Sequence, residues 1–194
     1  MQPLMKQLNL DHRRFLRLFS CVQHQLDLYR SGNWLLPDPG LILNVLDYMQ
    51  AYPEFWHHPS EDILFVELLE RDIPQSYTVE SLLVEHQELE SATRFIKSAY
   101  KDSIENDYLP SEQLIDETYE YLDRQISHLS TEKTAIYPVV EVYLSEQVVK
   151  KLNLIHREIK DPLFGSELEG KYDGLFQKIR ETDQQMQRDG FSFI

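Results

Sequence analysis

The chain has a single cysteine, Cys21, so no internal disulfide can form and a disulfide framework is excluded. Cys21 falls on an apolar helical stripe, the expected place of a buried, inert thiol. Glycine is scarce at six residues, and β-branched runs bounded by turn dipeptides are missing, which argues against a sheet. No apolar run approaches a membrane span, and the N-terminus has neither a basic region nor an apolar one of signal type. Cations are also in deficit: 19 Lys and Arg stand against 33 Asp and Glu, a formal charge of −14. That excludes the basic stripe needed to bind nucleic acid and argues against anionic membrane surfaces. A reducing cytoplasm is the expected location.

What is present is helical. The 194 residues suit one domain with a sizeable core, and 42% hydrophobic with 27% charged residues is ordinary globular usage. Apolar positions recur at helical spacing along four long stretches. The first runs from about Pro3 to Tyr29 through Phe15, Leu18, Phe19, Val22 and Leu26, and stops at Ser31-Gly32-Asn33. The second runs from about Leu41 to Arg71, with a kink or short break expected between Tyr52-Pro53 and His58-Pro59 and a restart with Pro59 in the first turn. The third spans about Val79 to Lys101, with Thr78 the expected N-cap. The fourth starts at Ser111 as N-cap and passes a kink at Pro138 to about Ile159. A last amphipathic stretch follows, Ser166 to Met186. The expected fold is all-α, an antiparallel up-down four-helix bundle over residues 1–155 with a C-terminal helical extension over 156–194. That extension caps the bundle or mediates a homodimer, and the sequence leaves both open.

Three helices repeat one pattern, a histidine followed four residues later by a glutamate: His57/Glu61, His86/Glu90 and His128/Glu132. Positions i and i+4 lie above one another on a helix face, so each pair presents an imidazole and a carboxylate in one direction. At this composition about 0.7 such pairs are expected by chance. His86 has Leu82, Leu83 and Leu89 as neighbours, and His12 has Phe15, Leu16 and Phe19, so both point towards the core. A buried histidine and carboxylate must be paired or bound to metal, because an uncompensated buried charge is costly. Three such pairs in one bundle point to metal. Zinc needs fewer ligands than converge here, whereas manganese stays open. Ferritin-like di-iron sites place Glu before His at i+3, the reverse of the order found here. His58 competes with His57, and the repeated spacing favours His57. His24 falls at the edge of the first helix, His156 has no expected role, Tyr121 reads as a core tyrosine, and Trp34 and Trp56 read as packing anchors.

The segments Leu8-Asn9-Leu10-Asp11-His12, His57 to Phe65, Val84-Glu85-His86 and His128 to Pro138 together resemble the hemerythrin, or HHE cation-binding, domain family over roughly residues 5–150. The resemblance implies an oxo- or hydroxo-bridged pair of iron ions held by His12, His57, Glu61, His86 and His128, with Glu61 bridging and Glu132 matching a second bridge in the family's bacterial branch. Where the oxygen carriers have a histidine four residues after the third-helix histidine, this chain has Glu90. On two octahedral ions, the four histidines, one oxygen of Glu90, both bridging carboxylates and the oxo or hydroxo bridge leave one position open for a ligand. The expected function is binding or sensing of dioxygen or a related diatomic, by a metal- and ligand-binding protein rather than a dedicated enzyme. Redox work on peroxide or nitric oxide, or iron handling, is the alternative. Glu90 favours it, because an anionic oxygen donor favours ferric iron more than imidazole does.

Overall fold

The computed structural model describes residues 3–31, 37–145, 147–148, 150, 161–165 and 170–188. Every regular element among them is helical: α1 (Pro3–Arg30), α2 (Pro39–Ala51), a π-helical turn (Pro53–His57), α3 (His58–Leu69), α4 (Ser76–Glu105), α5 (Glu112–Thr131), a second π-helical turn (Glu132–Ile136), α6 (Tyr137–Tyr143), a short 3-10 turn (Gly170–Tyr172) and α7 (Asp173–Arg188). No helix among the described residues is long and apolar enough to cross a membrane.

The helix starts follow local chemistry. Asp38 caps α2 by accepting from the Leu41 N–H at 3.0 Å, with Pro39 behind it, and Ser111 caps α5 by accepting from the Leu114 N–H at 3.1 Å. Thr78 does not cap α4. That helix begins at Ser76 and has no side-chain cap, because the turn over Arg71–Gln75 already leads into it through backbone hydrogen bonds.

The expected proline kinks are wider turns. Before Pro59, His58 N–H donates to Pro53 O, and before Pro138, Tyr137 N–H donates to Glu132 O. Both are i→i−5 bonds, the signature of a π-bulge, and such bulges gather at functional sites. Each proline then sits at the start of the resuming α-helix, where its missing N–H costs nothing. The fourth helix does not continue unbroken to Ile159: α6 ends at Tyr143, and Leu144 is extended, with φ −87° and ψ 133°. Trp34 and His156 lie outside the described residues.

The core is divided in two. One apolar cluster contains Phe15, Leu18, Val22 and Leu26 of α1, Ile42, Val45 and Met49 of α2, Ile96 and Tyr100 of α4, and Leu114 to Leu129 of α5. The other contains Leu4, Met5 and Leu8 of α1, Leu64, Phe65 and Leu68 of α3, Val79 and Leu82 of α4, and Ile136 to Val140 of the second π turn and α6. Each fully buried Leu or Phe contributes about 1.5–3 kcal/mol relative to exposure. In sequence, His12, His57–Glu61, His86 and Glu132 fall between the portions of their helices that supply the two clusters, and His128 adjoins Leu129 at the end of the first. The buried polar band is therefore where the apolar core is interrupted.

Candidate metal centre

Six of the expected ligands converge into two groups. His12, His57 and Glu61 form one and His86, His128 and Glu132 the other, all buried, with the potential ligand atoms of each group within 4.8 Å of one another. The two groups share their carboxylates. Glu61 lies 3.4 Å from His12 Nε2, 3.3 Å from His57 Nε2 and 3.6 Å from His86 Nε2. Glu132 lies 3.4 Å from His12 Nε2, 3.2 Å from His86 Nε2 and 3.1 Å from His128 Nε2. Each glutamate thus faces histidines of both groups.

The donor set fits a cation. Glu61 Oε2, Glu132 Oε2 and His128 Nε2 are buried without a hydrogen-bond partner, a costly state for polar atoms. Two imidazole nitrogens, His12 Nε2 and His57 Nε2, face each other at 3.2 Å, where at most one proton can sit between them.

Glu90 lies outside both groups. Its side chain is 26% exposed, and its Oε1 is 3.4 Å from His58 Nδ1. His58 itself is buried within the band: its ring stacks on that of His86 at 4.4 Å, and lies 6.0 Å from His57 and 6.3 Å from His128. The π turn is what brings two consecutive histidines inward. A regular helix would separate them by about 100°, whereas the widened turn buries both His57 and His58.

Around the band runs a second ring of carboxylates with one rule. Asp11 faces His57 Nδ1 at 3.3 Å, Asp62 faces His86 Nδ1 at 2.7 Å, Glu85 faces His128 Nδ1 at 2.9 Å, and Glu90 faces His58 Nδ1 at 3.4 Å. A carboxylate on Nδ1 holds the proton there and leaves Nε2 as a lone-pair donor, which for His57, His86 and His128 faces Glu61 or Glu132, the usual outer support of a metal-bound histidine. His12 differs: its Nε2 lies 2.8 Å from the phenol oxygen of Tyr137, whose single O–H donates to Glu61, so at that contact the imidazole is the donor. Tyr137 also stacks on the His12 ring at 5.2 Å.

The electrostatics differ between the two halves. Burial drives His57 down to about 3, outweighing the pull of Glu61. Burial likewise opposes the charged form of His86 and His128, but hydrogen bonds to Asp62 and Glu132 raise His86 to about 10, and the charge of Glu132 with the hydrogen bond to Glu85 raises His128 to about 9. Burial would raise the carboxyls of Glu61 and Glu132, yet the histidines around them hold both below the ordinary range. Without metal, His57 is therefore a neutral imidazole, whereas His86 and His128 hold their protons beside the Glu132 carboxylate at neutral pH.

Tyr137, the supporting carboxylates Asp11, Asp62 and Glu85, and the burial of His58 together with His57 are the parts that sequence reasoning missed. A signal existed for three of them, since Asp11, Asp62 and Glu85 each adjoin a ligand candidate in sequence. Tyr121 is a core tyrosine, as read: it is buried, and its hydroxyl bonds Thr93 at 2.9 Å and Gln125 at 3.0 Å. Cys21 is buried and free of disulfide, and Trp56 is buried and stacks on Tyr52 at 5.5 Å. His24 is half-buried on α1.

No curated protein and no solved structure matches the chain significantly. The family model of the hemerythrin HHE cation-binding domain matches residues 4–140. That span takes in α1 through most of α6 and every residue of the polar band, and the chain belongs to the hemerythrin HHE cation-binding domain family.

Proposed function

We propose that the band holds two iron ions bridged by Glu61 and Glu132, and that the centre binds or senses dioxygen or a related diatomic ligand. The observation that carries this is the sharing of both glutamates between the two histidine groups, each within 3.6 Å of histidines on either side. A carboxylate so placed suits a bridge between adjacent ions better than a ligand to one. His12, His57, His86 and His128 supply the terminal nitrogens. His58 joins them in place of the Glu90 expected from spacing, because it repeats the arrangement of the other histidines, with a carboxylate behind Nδ1. Glu90 then orients His58 rather than binding metal itself. When bound, the ions supply a redox couple and a position for an exogenous ligand; the protein supplies dry apolar walls and neutral Nε2 donors.

The helices read as an up-down antiparallel four-helix bundle over residues 1–155. Support comes from the order in which each long unit meets the two apolar clusters, which reverses from α1 to α2–α3, again to α4, and again to α5–α6. Residues 156–194 read as an extension, and α7 within it contacts α1 and α2. A cytoplasmic protein, with a homodimer as one use of the extension, is consistent with the acidic charge and the lone buried cysteine.

Tyr137 favours the alternative, redox work on peroxide or nitric oxide or the handling of iron, because an oxidisable phenol sits against two ligand candidates. One experiment separates the readings. The iron-loaded protein is reduced without air, oxygen is admitted, and the visible spectrum is followed. A band that forms and disappears under vacuum supports ligand binding. A rapid, irreversible change with consumption of peroxide supports redox chemistry. A chain that takes up no iron refutes both.

A further inference from the structure

Beyond the family's span, a short segment reaches the supports of the centre. Asp161 is 5% exposed and Leu163 1%. Asp161 Oδ1 accepts from the N–H groups of Leu163 at 2.9 Å and Phe164 at 2.8 Å, and its backbone carbonyl accepts from Gly165 N–H at 2.9 Å. A Cβ on residue 165 would stand 2.2 Å from that carbonyl oxygen, so the turn closes only with glycine. The other carboxylate oxygen of Asp161 accepts from Tyr48 Oη and from Arg14 Nη1, both at 3.1 Å. Arg14 also donates to Phe164 O at 3.0 Å and lies over the Phe164 ring. The same guanidinium is 3.6 Å from Asp11, the carboxylate behind His57.

An unbroken polar path therefore runs from the amides of 163–165 through Asp161, Arg14 and Asp11 to His57. We propose that Asp161 is a positioning residue for the His12–His57–Glu61 half of the centre, so that seating of residues 161–165 and occupation of that half by metal are coupled. The proposal rests on the reading of the band as an iron site. Its physical basis is that Arg14 is one cation shared by two buried carboxylates. Metal on His57 Nε2 fixes the proton on Nδ1 and strengthens its donation to Asp11. Asp11, already accepting from Gln7 at 2.7 Å and Tyr52 at 3.2 Å, then leans less on Arg14, and Arg14 turns fully to Asp161 and Phe164 O. Without metal that donation is weaker, and Asp11, 3.6 Å from the guanidinium, competes with Asp161 for Arg14. Such coupling is reciprocal: seating the segment favours metal by the same factor.

The test is amide hydrogen exchange at Leu163, Phe164 and Gly165 in the full-length protein with and without iron, with iron content measured alongside. Iron should slow exchange there about tenfold, within the usual range of coupling between sites. Asp161→Asn keeps the Oδ1 acceptor of the turn but breaks the ion pair, and should abolish the iron effect. Asp11→Asn leaves every contact of the segment itself in place and should abolish it too, which separates coupling from mere unseating. Equal exchange with and without iron in the wild type overturns the proposal, as does an iron effect that survives Asp11→Asn. If the chain takes up no iron, the reading of the centre fails separately. The coupling is then decided in the iron-free protein, where Asp11→Asn must change exchange of these three amides about tenfold and unaltered exchange overturns it.

Discussion

Replacing Glu90 by alanine leaves His58 Nδ1 without its acceptor but removes no atom from the two groups of ligands. Loss of a carboxylate behind a metal-bound histidine lowers metal affinity about 10- to 100-fold, which is roughly 1.4–2.7 kcal/mol. Glu90 is 26% exposed, so water can take over part of its role, and the expected loss is at the lower end, about tenfold. Glu90→Gln keeps a side-chain oxygen facing His58 Nδ1 and should cost less still. His58→Ala removes an imidazole that is 4% exposed and stacked on His86, and should cost more than either, through reduced stoichiometry or a weakened second site. The assay is anaerobic ferrous titration in competition with a chromophoric chelator, with total iron per chain determined on the same samples. Were Glu90 a direct ligand, both of its variants would fall at least as far as His58→Ala. That ordering, or full iron binding by His58→Ala, would refute the assignment.

The remaining predictions concern the iron-free fold and the phenol beside the centre. His86 and His128 have folded values raised to about 10 and about 9 from 6.5, so their contribution is fully present below about 6.5 and fades as pH rises through 9 to 10. Glu61 and Glu132 are lowered from 4.5, so theirs is lost on acidification below that value. Above pH 6.5, where His57 is neutral in the folded and unfolded chain alike, urea midpoints of the iron-free protein should therefore fall as pH rises towards 9 to 10, and Glu132→Gln should flatten that slope; a midpoint constant from pH 6 to 10 would contradict this. Because metal requires neutral imidazole, iron uptake at pH 7 should release protons, measurable in weakly buffered solution, and no release would count against charged His86 and His128. Tyr137→Phe deletes the hydroxyl that donates to buried Glu61 and should destabilise the iron-free protein by about 1.5–3 kcal/mol by denaturant unfolding; no change would mean that the phenol carries no share of Glu61's charge. Ser111→Ala should cost about 0.5–2 kcal/mol without altering iron content, since the cap lies at the far end of α5 from His128.

Some of this was legible in the residues alone. Helical content follows from apolar spacing, and the metal candidates follow from His and Glu at i and i+4, because both depend on periodicity within one helix. Ser111 as a cap was readable for the same reason, since its partner is three residues away. Thr78 was not: whether a turn or a side chain starts α4 depends on how the chain arrives from α3. The identical pattern His86/Glu90 hides two different fates, His86 in the centre and Glu90 outside it. Sequence spacing says that the two share a face, but not how far round that face the neighbouring helices reach. The π turns before Pro59 and Pro138 add to this, shifting the register of α3 and α6 so that His58 and Tyr137 come inward. The carboxylates behind the histidines come from other helices, as with Asp11 on His57 and Asp62 on His86, and Asp161 reaches Arg14 across 147 residues of chain. The sequence by itself determined the helices and which residue types could hold a cation. Tertiary packing decided which of them meet, because those pairings are made between helices, where no periodicity records them.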